Sequence, residues 1–280
     1  MGAQQPRIQR LRANPAHRQN LRQIQTAVKH RSPVRAARAS LKSANSTHNP
    51  MKRLILILNG KGGVGKSFFA VNFVQFLKDK GIAHVAIDSD NENSTLKRFH
   101  PDTRFLDLSK RRDLDAIFSA LAKTNLVVVD CRAASTDLFI DFFNEIDLPA
   151  MLTAFDAKLT LVMPVNHESD SVDQIQRMTD EFKNRCNYVV VRNAAHSDSF
   201  AIFESSEVRA LLADKLGGRE ITMTRMQDWL VEALNAENLT IAAAIKHASF
   251  SLLDRQRIQT WQRKLFAEIE SAANLLLPSK

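Results

Sequence analysis

"RLILILNGKGGVGKSFFAVNFVQFLKDKG", residues 53–81, carries the chain from one kind of structure into another. After Arg53 come five aliphatic residues in a row, a run short enough for a buried strand and bounded by glycine. From Lys66 to Lys80 the period changes: Phe69, Phe73, Phe76 and Leu77 recur at helical spacing, and Gly81 stands where a helix stops. Between the two segments lie Gly60, Gly62, Gly63 and Gly65, four of the chain's eight glycines. A strand that runs through such a loop straight into a helix is the unit of a fold in which the two alternate.

The rest of the chain repeats the unit. "HVAID" (84–88), "LVVVD" (126–130), "KLTLVMPV" (158–165), "NYVVVRN" (187–193) and "REITMT" (219–224) read as strands. A helical "RRDLDAIFSALAK" (111–123) and a helix over about 169–183 stand between them. The expected fold is therefore α/β, a doubly wound and mostly parallel sheet with helices on both faces. Right-handed crossovers place the carboxyl ends of the strands on one edge, where ligands bind. In a helical tail over 252–276, Ile258, Trp261, Leu265, Ile269 and Ala272 line one face, which predicts packing against the core.

The net charge of +9 is unevenly placed. Residues 1–50 hold ten of the 39 Lys and Arg and none of the 30 Asp and Glu, so the remaining residues carry 29 basic groups against 30 acidic ones. Two units follow: a basic extension over 1–50, and a nearly neutral domain over 51–280. With prolines at 6, 15, 33 and 50 and few large apolar residues, the arm is expected to be mostly disordered; Leu21, Ile24 and Val28 could form one short helix on a partner. Three readings of it stay open: a nonspecific nucleic-acid contact, a targeting peptide, or an extension upstream of a natural domain start at Met51. Arg209, Lys215, Arg219 and Arg225 extend the nucleic-acid reading to the later helices. Cys131 and Cys186 stand alone, without disulfide or zinc spacing, and no apolar run approaches the ~20 residues of a membrane span. A cytoplasmic protein without stable membrane insertion is expected.

Gly60-Lys61-Gly62-Gly63-Val64-Gly65-Lys66-Ser67 matches GxxxxGK[ST] over its full length. Glycines let successive N–H groups turn inward on phosphate oxygens, and the helix that opens at Lys66 presents its positive end to the same anion. Gly60, Gly62, Gly63, Val64, Gly65, Lys66, Ser67 and Phe68 are the expected nucleotide contacts. Lys66 would reach the β- and γ-phosphates, and the Ser67 hydroxyl would bind magnesium. Hydrolysis also needs acids around that metal. Asp88 and Asp90, two apart, share one side of an extended strand end, and Asp130 ends the apolar "LVVVD". Cys131 reads as a small buried filler.

"KGGVGKS" resembles the deviant Walker A loop of the ParA/MinD superfamily of P-loop ATPases, whose consensus is KGGxGK[ST]. The resemblance implies a homodimer closed around two ATP molecules, with Lys61 reaching the partner's phosphates in trans. It implies that Asp90 positions the attacking water, that Asp88 supports metal and loop, and that Asp130 holds magnesium through water. The segment "DSDNENSTL" departs from the family's DxDPQ at Asn91 and Glu92, and "CRAAST" departs from its usual continuation after the third acid. Asn193, at the end of a later strand, resembles the asparagine that reads the adenine edge, and no guanine-specific NKxD occurs, so ATP is favoured over GTP. Within the superfamily the chain looks most like the plasmid conjugation and stability proteins of the TraL and StbB type. That implies a slow, partner-stimulated ATPase switch and a plasmid-encoded partner protein. Two other readings remain: a kinase of a small acceptor, with "KRFHPDTRFLDLSKRR" (97–112) as its basic lid, and a scaffold that binds nucleotide without hydrolysing it.

Overall fold

A computed structural model describes residues 50–279; the basic arm and the short helix expected in it lie outside the described residues. The run after Met51 forms β1 (Lys52–Ile57), followed in chain order by β2 (Val85–Asp88), β3 (Arg104–Phe105), β4 (Leu126–Asp130), β5 (Ala157–Val165), β6 (Asn187–Asn193) and β7 (Arg219–Met223). They make one sheet in the order β3-β2-β4-β1-β5-β6-β7, and every neighbouring pair is parallel. β1 lies between β4 and β5, with Leu54 level with Val127 on one side and Leu159 on the other. Buried on both faces, it has no use for polar alternation, and hence its unbroken aliphatic sequence.

Alternate β1 side chains feed two separate cores. Leu54, Leu56 and Leu58 join Val127 and Val129 beneath α3 (Arg111–Leu121), α4 (Thr136–Glu145), α5 (Leu148–Ala154), α6 (Ser169–Phe182) and α8 (Glu207–Asp214). Ile55 and Ile57 join Val128 and the phenylalanines of α1 (Lys66–Asp79) on the opposite face. There α9 (Asp228–Ala236), α10 (Ile241–Ala244), α11 (Leu252–Ser271) and α12 (Ala273–Leu276) complete the layer. Two short helices, α2 (Thr95–Phe99) and α7 (Ala201–Glu204), follow β2 and β6. The adjacent strands β1 and β4 thus send their following helices to opposite faces. This splits the carboxyl edge of the sheet between them and opens the crevice in which such folds bind ligands.

The tail stripe is core, as expected: Ile258, Trp261, Leu265, Ile269 and Ala272 are buried. The expected single helix is interrupted, however, with α11 ending at Ser271 and a separate turn, α12, beginning at Ala273. The buried Arg53 explains where that turn sits. Its guanidinium donates to the carbonyls of Asn274 (2.9 Å) and Leu277 (3.3 Å), satisfying groups the helix end leaves open. A second difference is β3, a two-residue exposed edge strand within 97–112, a stretch that carries no strand periodicity.

Candidate functional site

The loop after β1 is pinned before it wraps. Asn59 is buried, and its Nδ2 donates to the carbonyls of Pro164 (2.9 Å) and Ser171 (3.0 Å), while its Oδ1 accepts the Lys61 N–H (3.0 Å). One amide therefore joins the loop to β5 and α6. Two glycines leave room for side chains packed over the loop, and a Cβ at either would force its neighbour to shift. A Cβ on Gly60 would stand 2.2 Å from Gln174 Oε1, and one on Gly65 would stand 2.3 Å from Asn193 Nδ2. Gly65 also has φ +94°, a conformation L side chains rarely adopt. α1 then starts at Lys66 with no side-chain cap and no acid in its first turn, leaving its N-terminal N–H groups available to an anion.

The two lysines of the loop face different partners. Lys66 is 7% exposed, and its Nζ donates to the Lys61 carbonyl at 2.8 Å. Burial lowers its pKa, which the charges of Asp130 and Asp90 counter only in part. Lys61 turns outward onto the start of α6, with Nζ 2.9 Å from Asp170 Oδ2 and 3.3 Å from Glu168 Oε2. Those two carboxylates hold the Lys61 ammonium above its ordinary range.

Of the three acids, Asp130 differs in kind. It ends β4, level with Ile57 of β1 and Asp88 of β2. Both its carboxylate oxygens are buried, and neither has a hydrogen-bond partner among the described residues. Burial pushes the carboxyl up to about 8; the Ser67 hydroxyl and the Lys66 charge act against that shift without satisfying the group. Asp88 is fully buried but occupied: Oδ1 accepts the Asp90 N–H (2.9 Å) and Oδ2 the Lys97 N–H (3.0 Å), which organises the turn from β2 into α2. Asp90 closes that turn, accepting from the N–H groups of Glu92 (3.0 Å) and Asn93 (3.3 Å) and from Asn93 Nδ2 (3.2 Å). Partial burial raises its carboxyl, but these bonds and the Arg132 charge together hold it below the usual range.

An orphaned carboxylate beside a hydroxyl and a lysine, under a loop built for anions, suits a divalent cation delivered with a phosphate. Among the described residues no cluster of three or more His, Cys, Asp or Glu could hold a metal unaided. Ser67 and Asp130 fit such a cation, and Asp88, level with Asp130 on the next strand and expected at the same metal, uses each of its oxygens in one bond to the turn beside it.

The segment after β4 lies along the glycine loop. Cys131 donates its N–H to the Ile57 carbonyl (3.1 Å), and Ala134 donates to the Gly60 carbonyl (3.0 Å). Ala134 does so at φ +54°, strained for a residue with a Cβ. Cys131 is buried, and burial pushes its thiol well above the ordinary value, which suits a small core filler rather than a nucleophile. On the other side of the loop, a cavity of about 460 Å³ opens beside Gly63 and Gly65, lined by Phe68, Asn193, Ala195, Thr224 and Met226 among others. Asn193 Nδ2 donates to the Val64 carbonyl (3.0 Å) and its Oδ1 accepts the Ala195 N–H (3.1 Å). One N–H and one lone pair of that amide stay free for a ligand.

The structure therefore places Asp88, Asp90 and Asp130 near Lys66 and Ser67 on one side of the loop and Asn193 with the cavity on the other, while Lys61 turns outward onto α6. Asn59 and Arg132 also belong to the site. Neither carries a sequence signal, because their roles depend on partners distant in the chain. The basic residues named for nucleic acid are partly neutralised: Arg209 Nε lies 2.7 Å from Glu220 and Arg225 pairs with Asp228 at 2.8 Å. No described helix is long and apolar enough to cross a membrane.

Comparison with known proteins agrees with this geometry. Residues 55–249 match the CobQ/CobB/MinD/ParA nucleotide binding domain. Protein TraL of Escherichia coli is 27% identical over 243 residues, spanning 80% of this chain and 100% of TraL. Protein MobD of Acidithiobacillus ferrooxidans is 24% identical over 219 residues, spanning 76% of this chain and 94% of MobD. Among solved structures, the septum site-determining protein MinD of Pyrococcus horikoshii, complexed with Mg-ADP, superposes with a TM-score of 0.50 at 17% identity, covering 81% of this chain and 99% of MinD; at that identity the likeness bears on the fold.

Proposed function

Because the chain belongs to the CobQ/CobB/MinD/ParA nucleotide-binding family, we propose that it is an ATP-dependent switch, a slow Mg2+-dependent ATPase that dimerises when loaded and acts in plasmid maintenance or mobilisation. The observation that carries this reading is Asp130, a buried carboxyl with no hydrogen-bond partner among the described residues, set beside Ser67 and Lys66 at the glycine loop.

The residues divide the work. The loop N–H groups and the uncapped start of α1 bind the phosphates. Lys66, now resting on the Lys61 carbonyl, is released to the β- and γ-phosphates. Ser67 and Asp130 would hold Mg2+, which would supply positive charge against the phosphates. Asp88 keeps the β2–α2 turn in place, and Asp90, ionised at neutral pH, stands on that turn to orient water. Asn193 offers its free N–H and lone pair to adenine.

Lys61 provides the switch. In the single chain its charge is spent on Asp170 and Glu168, both on the surface. Moving it to a second copy's triphosphate exchanges two screened surface contacts for a charge-assisted bond in a closed interface. Loaded and empty forms then present different surfaces, which is how nucleotide controls a partner. The full-length match to TraL supports the plasmid setting and a plasmid-encoded partner.

The test is equilibrium binding of a fluorescent ATP analogue with and without Mg2+, alongside phosphate release. Wild type should bind with Mg2+ and turn over slowly without any acceptor, and Lys66→Ala should do neither. Turnover that required a small-molecule acceptor would support the kinase reading instead.

A further inference from the structure

Two residues beyond Asp130, Arg132 is anchored by its backbone and idle in its side chain. Its N–H donates to Ser89 Oγ (3.1 Å), and its carbonyl accepts from Ser135 Oγ (2.8 Å). Ser89 Oγ in turn donates to the Asp130 carbonyl (2.9 Å), so the arginine backbone is fixed to the end of β4. The guanidinium, by contrast, has no hydrogen bond or ion pair among the described residues, and its Nε is buried without a partner. Arginine presents five donors in a rigid fork; here the residue is half-buried, Nε alone is shut away from solvent, and the two Nη groups stay open to an incoming ligand.

The surroundings indicate what fills it. The next residue, Ala133, lies 3.9 Å from where a Gly62 Cβ would be, and Ala134 is bonded to the Gly60 carbonyl. Arg132 is thereby held next to the segment that packs against Gly60 and Gly62, the part of the loop that flanks Lys61. Asp90 feels its charge from across the crevice, yet the Asp90 oxygens are already engaged by Glu92 and Asn93. Asp90 in turn acts on the charges of Lys66 and Asp130, so the arginine, the lysine and the two acids share one electrostatic neighbourhood at the loop.

We propose that Arg132 binds the terminal phosphoryl group of the nucleoside triphosphate in cis, so that the chain distinguishes triphosphate from diphosphate before any second copy arrives. The inference rests on the nucleotide reading above and deepens it. A planar, always-charged guanidinium matches two phosphoryl oxygens at once, which a lysine at the same place does not. Lys61 then serves association between copies, while Arg132 serves discrimination within one.

The experiment is calorimetric titration of the full chain with Mg2+ and either a non-hydrolysable ATP analogue or ADP, for wild type, Arg132→Ala and Arg132→Lys. Lys61→Ala is combined with each so that dimerisation does not enter the affinities. Arg132→Ala should bind the analogue about 10- to 100-fold more weakly, as the loss of a charge-assisted contact implies, while its ADP affinity stays within about twofold. Arg132→Lys should fall between. The unchanged ADP affinity reports that the loop is still folded. Equal losses for both nucleotides would make Arg132 a structural residue, and no loss for either would leave it without a role; both overturn the inference. Wild type binding neither nucleotide would remove the underlying reading, and this one with it.

Discussion

Replacing Asp130 by asparagine should stabilise the empty protein and abolish its response to Mg-nucleotide. The carboxyl is pushed from 3.8 up to about 8, chiefly by burial. Between those values the folded chain keeps a proton that the unfolded chain releases. The contribution to stability is therefore fully present below the unfolded value and is lost as pH rises towards the folded one. At about 1.4 kcal/mol per pH unit, the penalty is about 4 kcal/mol at pH 7 and about 2 kcal/mol at pH 5. Asparagine keeps the shape and the unmet hydrogen bonds but carries no charge to desolvate, so it escapes the penalty. For a domain of this size, 4 kcal/mol corresponds to a melting temperature higher by roughly 10 °C. The assay is thermal melting of both nucleotide-free proteins from pH 5 to pH 8. The gap in favour of the variant should widen as pH rises, and Mg2+ with an ATP analogue should raise the melting point of wild type alone. A variant less stable than wild type at pH 7, or a gap that does not change with pH, would refute the reasoning.

Three further outcomes are expected. Lys61→Ala should melt like wild type, because its partners Asp170 and Glu168 are exposed, yet it should remain monomeric with ATP analogue in a sizing experiment. Gly65→Ala should lose on the order of 3 kcal/mol in chemical denaturation, from the left-handed backbone and the 2.3 Å approach to Asn193 Nδ2; adding Asn193→Ala should recover only the part due to the clash. Loading with Mg-nucleotide should release protons at pH 7 and fewer as pH rises past about 8, since Asp130 must ionise to serve the metal; titrations in two buffers of different ionisation enthalpy measure this directly.

What the sequence discloses and what it conceals divide along a physical line. β1, its loop and α1 are legible because each is a local pattern: an aliphatic run, a glycine spacing, a helical period. Asp130 is legible for the same reason, as the acid that ends an apolar strand. The stripe from Ile258 to Ala272 announces a core face by periodicity alone. Its interruption after Ser271 is invisible, because it accompanies Arg53, whose side chain meets that turn from more than two hundred residues away. Asn59 is hidden similarly: one asparagine in a strand-end loop has no signature, and its worth comes from carbonyls on β5 and α6. β3 is too short to show any period. The second lysine of the loop is conspicuous, but the acids that hold it in the single chain lie at the start of α6, and nothing near Lys61 in sequence points to them.

The central claim is that one loop serves two nucleotides through two lysines, and the molar mass in solution tests it most directly. Light scattering behind a sizing column, with Mg2+ and a non-hydrolysable ATP analogue, should show wild type at twice the 31.5 kDa of the chain and the ADP-loaded protein at that mass. A mass that stays at one chain with analogue bound would contradict the account.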